Sequence, residues 1–112
     1  MKRLQARFYV SATGTVPVRD WLMTLPIDDR CVIGFDIAKV EIVWPVGMPT
    51  CRAIGGGLLE VRSTLPSSRI WRVLFCIEDG EMILLHGFVK KTQKTPDADL
   101  RLARTRQKEV KS

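Results

Sequence analysis

Met82-Ile83-Leu84-Leu85-His86-Gly87-Phe88-Val89-Lys90-Lys91-Thr92-Gln93-Lys94-Thr95-Pro96 is the stretch that decides the fold. Its first half is almost wholly apolar, as a strand covered on both faces of a sheet must be. Three lysines then fall within five residues, and Thr95-Pro96-Asp97 starts a helix. Thr95 suits the N-cap, proline the first helical position and aspartate the first turn. A central strand that carries clustered ammonium groups to its own end suits a protein that grips phosphate.

Working outward, Leu58 to Arg62 and Arg69 to Ile77 show the period of two expected of strands. Glu78-Asp79-Gly80-Glu81 is a short hairpin signal, and Ser63 to Ser68 reads as a second turn. Gly55-Gly56-Gly57 has neither a following lysine nor a following helix, so it too reads as a turn rather than a nucleotide cradle. Upstream, Leu4 to Val10 reads as a first strand, and Pro17 to Leu25 as a short helix with Thr15 or Val16 near its cap. Asp28 to Val43 carries Ile33, Ile37, Val40 and Trp44 at the spacing of a core-facing helical stripe, until Pro45, Gly47 and Pro49 end it. The order predicted is β-α-α-β-β-β-α. That is one α+β domain over residues 1–112, with two N-terminal helices packed on a mainly antiparallel twisted sheet.

The 112 residues suffice for one modest core, and 46% hydrophobic with 27% charged residues is ordinary for a globular protein. The net charge of +6 is unevenly placed. From His86 to Ser112 there are eight basic and three acidic residues, a balance of +5, whereas the first 85 residues balance at only +1. Such a basic C-terminal quarter points to a polyanionic partner, or else to a solvated basic helix. Cys31, Cys51 and Cys76 form no C-x-x-C pair and cannot complete a zinc site with the single His86. Cys31 and Cys76 sit in apolar runs and read as buried thiols of a reducing cytoplasm. The N-terminus lacks a signal-peptide core and no apolar run reaches membrane-spanning length, so no membrane association is expected.

Charge occurs where strands normally carry packing. Alternation puts Arg72 on the face of Ile70, Leu74 and Cys76, so its guanidinium needs an anionic partner, either Glu60 on the neighbouring strand or a ligand. Arg62 shares the face of Glu60, and the two arginines together make a reasonable phosphate clamp oriented by that carboxylate. Lys90 falls on the face of His86 and Phe88, and Lys91 on the opposite one. Crowded ammonium groups depress one another's pKa, which is one route to a lysine base near neutral pH. His86 itself reads as a core histidine bonded to backbone, with proton transfer as the alternative. Trp71 shares the face of Val73, Phe75 and Ile77 and reads as core. Arg69, Lys94, Arg101, Arg104 and Lys108 extend the basic surface, the last three on a helix whose apolar side (Leu100, Ala103, Val110) is thin enough to dock loosely. No metal constellation, phosphate loop or Ser/His/Asp arrangement is present, and no cofactor is expected. Metal-independent cleavage of RNA fits what is left: the 2′-hydroxyl attacks the adjacent phosphate, and cations stabilise the phosphorane.

At these residues the chain resembles a known group. Gly57-Leu-Leu-Glu-Val-Arg62, Arg69-Ile-Trp-Arg-Val-Leu-Phe75 and Leu85-His-Gly-Phe-Val-Lys-Lys-Thr-Gln-Lys-Thr-Pro96 look like the phage-derived, HigB-like branch of the RelE/ParE toxin superfamily. The resemblance implies the toxin of a type II toxin–antitoxin system, a ribosome-dependent endoribonuclease acting on mRNA. It also implies a partner antitoxin with a helix-turn-helix domain and a hetero-oligomeric complex with it. By the same resemblance Arg62 and Arg72 hold the scissile phosphate, while Lys90 and Lys91 serve proton transfer and backbone binding. The tyrosine near the C-terminus that some superfamily members use is missing; Tyr9 is the only tyrosine. A non-catalytic module of the same fold, binding nucleic acid or docking an acidic protein segment, is the alternative reading.

Overall fold

The computed structural model describes residues 2–65, 69–89 and 95–111. Its elements are β1 (Gln5–Phe8), α1 (Pro17–Met23), α2 (Ile27–Val43), β2 (Cys51–Gly55), β3 (Leu58–Thr64), β4 (Ile70–Glu78), β5 (Glu81–Val89) and α3 (Asp97–Lys111). One five-stranded sheet has the order β1-β5-β4-β3-β2, with β1 parallel to β5 and every other pairing antiparallel. The architecture is α+β, as expected, but the element order gains a strand. β2 is the one the sequence reading missed, because Cys51-Arg-Ala-Ile-Gly55 is short, follows two prolines and buries only Cys51. Edge strands bury one face at most, so their apolar signal is weak.

The central strands are β4 and β5, and their burial on both faces explains the unbroken apolar run from Met82 to Leu85. Asp79 and Gly80 both have positive φ (52° and 77°), which a two-residue type I′ hairpin requires and which places Gly80 naturally. Pairing of β4 with β5 slips between Leu74 and Phe75, opposite Leu85. The extra residue turns the end of β5 so that His86 and Phe88 lie on the same side as Ile83 and Leu85.

The helices occupy opposite faces. Val18 of α1 and Ile33, Ile37 and Val40 of α2 pack on Val61, Val73, Phe75, Met82 and Leu84. On this side Trp21 lies against Gly87 so closely that a Cβ there would meet its ring at 2.2 Å. On the other face, α3 covers Leu58, Leu74, Cys76, Ile83 and Leu85. The expectation of loose docking is corrected here. Only Ala103 and Gln107 of α3 are buried, but its polar side chains take up carbonyls of the sheet. Arg106 donates to the Leu85 carbonyl (2.8 Å), Gln107 to that of Gly56 (2.9 Å) and Arg104 to that of Gly55 (2.6 Å). Tyr9 donates to Glu109 and lies under the Arg106 guanidinium, 5.6 Å from its ring centre. A helix with little apolar surface is thus held by hydrogen bonds to otherwise open backbone acceptors.

Candidate functional site

Beyond the N-terminal end of α3, the face it covers carries charge instead of hydrocarbon. Arg62 of β3 and Arg72 of β4 are cross-strand partners, and Glu60 sits one pleat away on the same face. Arg72 is 4% exposed and Glu60 2%, so both charges are withdrawn from water. Arg72 Nη1 donates to Glu60 Oε1, which answers the charge that alternation placed on an apolar face. A second cation converges on the same carboxylate: Arg52 Nη2 of β2 lies 3.7 Å from Glu60 Oε1. Thr95 donates to Glu60 Oε2 (3.3 Å) and stands 3.5 Å from Arg52 Nη2.

One carboxylate therefore serves two guanidinium groups, those of Arg72 and Arg52, while Arg62 stands beside Arg72 as a third cation, and a surplus of positive charge is left. The Nε atoms of Arg52, Arg62 and Arg72 are all buried without a hydrogen-bond partner among the described residues. Burial pushes the Arg72 guanidinium below its ordinary value; Glu60 opposes this, while Arg52 and Arg62 add to it. A cleft of about 70 Å³ opens among these groups, walled by Met48, Pro49 and Thr50. Spare buried donors of one sign, gathered about a small cavity, are the chemistry of an oxyanion site.

Toward the other end of this face, His86 Nε2 lies 2.6 Å from Asp99 Oδ1 in the first turn of α3, and its ring stacks on Phe88 at 5.9 Å. The expected backbone bond gives way to a side-chain carboxylate. Phe88 is in turn the cross-strand partner of Arg72, so histidine, phenylalanine and arginine run in series.

Residues 20–108 match the profile of a protein family described as phage-derived protein Gp49-like (DUF891). The chain belongs to this Gp49-like family. No curated protein matches it. The matched span takes in every residue of the arginine cluster and most of α3.

The remaining expected residues of this Gp49-like protein divide into three groups. Lys90, Lys91 and Lys94 lie outside the described residues. The residues that bracket them are the last of β5, Val89, paired with Trp71, and Thr95, bonded to Glu60. Arg69, Arg101 and Lys108 are exposed and open to a ligand. Arg104 is a correction: it was expected on a free basic stripe, but it anchors α3 to the glycine turn. Arg52 is the site residue that the sequence reading missed. It became visible only with β2, whose pairing sets it opposite Glu60. The cysteines also need correcting, since Cys31 is exposed whereas Cys51 and Cys76 are buried. Burial pushes the Cys51 thiol up to about 11. Among the described residues, no helix is long and apolar enough to cross a membrane.

Proposed function

We propose that this Gp49-like protein is the toxin of a type II toxin–antitoxin pair and cleaves mRNA on the ribosome without a metal. The observation that carries this reading is the cluster of Arg52, Arg62 and the buried Arg72 about a single buried Glu60, with three buried Nε donors to spare. A scissile phosphate set in that cleft meets cations on several sides. The 2′-oxygen then attacks phosphorus in line, the bond to the 5′-oxygen breaks, and a 2′,3′-cyclic phosphate and a 5′-hydroxyl result. Guanidinium groups stabilise the extra charge of the phosphorane without taking part in proton transfer, because they stay protonated. The proton removed from the 2′-hydroxyl and the one delivered to the leaving oxygen fall to Lys90 and Lys91. A helix-turn-helix antitoxin is the proposed partner, holding the cluster in check within a complex in the cytoplasm.

The test is induction of the chain alone, without an antitoxin, followed by primer extension on translated transcripts. Growth arrest and new 5′ ends are expected from the wild type. Substituting Arg62→Ala should lower cleavage by about 10²-fold or more, the usual scale for one charge-stabilising group. A wild-type chain that binds mRNA yet leaves it intact would instead establish the binding-only alternative.

A further inference from the structure

Arg62 borders two cavities, and only the smaller is the arginine cleft. The larger, of about 390 Å³, lies at the open edge of the sheet and is lined by Val32, Asp36, Pro49, Thr50, Arg62 and Thr64. It exists because β2 stops pairing with β3 at Cys51–Val61, after which only the Thr50 carbonyl follows β3, accepting from the Arg62 amide at 2.9 Å. The edge of β3 beyond Arg62 is thus left uncovered beside α2. Its volume falls in the range of about 300–1,000 Å³ usual for small-ligand sites.

The polar groups in this cavity are unspent. Asp36 is half-buried and makes no hydrogen bond or ion pair with any described residue, although Arg62 lines the same cavity. A carboxylate with no protein donor that lines an open cavity keeps both oxygens available to accept from a ligand. Thr50 and Thr64 add hydroxyl groups at the rim, and Val32 and Pro49 add apolar wall.

We propose that this cavity receives the nucleobase next to the phosphate held by the arginines, and that Asp36 selects guanine. The inference rests on the RNA reading above. Guanine alone among the four bases presents two parallel donors, N1–H and N2–H, that one carboxylate accepts together. Adenine and cytosine each set one amino donor beside a ring acceptor, and uracil flanks its single N–H with two carbonyl oxygens. The last three therefore bring acceptors against Asp36. Arg62, shared by both cavities, ties the position of the base to that of the phosphate.

Titration of the folded chain with the four nucleoside 3′-monophosphates, followed by NMR or calorimetry, tests this without requiring cleavage. Guanosine 3′-monophosphate should bind about tenfold or more tightly than the other three, as a bidentate base contact provides. Inosine 3′-monophosphate, which lacks the 2-amino group, should lose most of that advantage on the unaltered protein. Asp36→Asn should bring the four to near equality. Equal binding of the four, no measurable binding, or a guanine preference that survives in Asp36→Asn would each overturn the assignment. The two proposals fail separately. Guanine preference without any mRNA cleavage removes the toxin reading and leaves the pocket, whereas cleavage with no base preference removes the pocket and leaves the toxin.

Discussion

Glu60 and Arg72 face each other across adjacent strands at 2% and 4% exposure, and each is the reason the other is tolerated. Removing one partner of a buried pair strands the other charge. Glu60→Ala should therefore destabilise the fold by about 3–5 kcal/mol, read as a lower urea midpoint. Replacing both, as Glu60→Leu with Arg72→Met, should restore most of that stability while leaving mRNA cleavage abolished. An outcome in which the double variant still cleaves would remove Arg72 from the phosphate site. Gly87 makes a different kind of demand. A methyl group there meets Trp21 Cζ3 at 2.2 Å and Cε3 at 2.4 Å, both parts of a rigid ring. Gly87→Ala should cost about 1–3 kcal/mol by overpacking, with Trp21 fluorescence reporting the displaced ring. Alternation made Arg72 and Glu60 legible as one-face neighbours, since strand geometry fixes which side a residue takes. The reason for Gly87 was not legible, because Trp21 lies 66 residues earlier and only packing brings it there.

At the level of elements, α2 shows where periodicity stops being informative. Ile33, Ile37 and Val40 are buried, as their spacing requires. Yet Ile27 and Phe35 are 67% and 71% exposed, so the helix is apolar on its outer side as well. With apolar residues on both sides, the pattern cannot say which side Cys31 takes, and Cys31 turned out to be exposed. The expected chemical consequence is selective. In the folded protein near neutral pH, a thiol reagent should modify Cys31 while Cys51 and Cys76 resist, and all three should react in denaturant. Mass spectrometry of intact chains checks this, and rapid labelling of Cys51 in the folded state would contradict its burial. The helix α3 gives the converse lesson. Its sequence reads as a basic, weakly amphipathic helix, but Arg104, Arg106 and Gln107 find carbonyls at the glycine turn and at Leu85. Such bonds depend on where distant backbone happens to be open, which no spacing rule encodes.

For the whole molecule, the C-terminal quarter carries most of the net +6, and α3 still displays Arg101 and Lys108 to solvent after Arg104 has been committed to docking. If single-stranded RNA lies along this face, each phosphate contact contributes about 0.7 to the slope of log K against log salt. Replacing Arg101 and Lys108 with glutamine should then flatten the slope by about 1.4 if both touch phosphate, measured by fluorescence anisotropy across a salt series. An unchanged slope would mean that α3 serves only to close the sheet. The sequence by itself determined the α+β class, four of the five strands by alternation or an unbroken apolar run, the two N-terminal helices by their stripes and breakers, and the shared face of Glu60, Arg62 and Arg72. These are properties of local geometry, and a chain carries its local geometry wherever it goes. Only the tertiary structure decided that an edge strand adds Arg52 to the cluster, that α3 lies opposite α1 and α2, and that Asp36 faces an open cavity beside Arg62. Those facts follow from which surfaces meet across long separations in sequence, and burial and hydrogen-bond satisfaction settle them jointly over the whole fold.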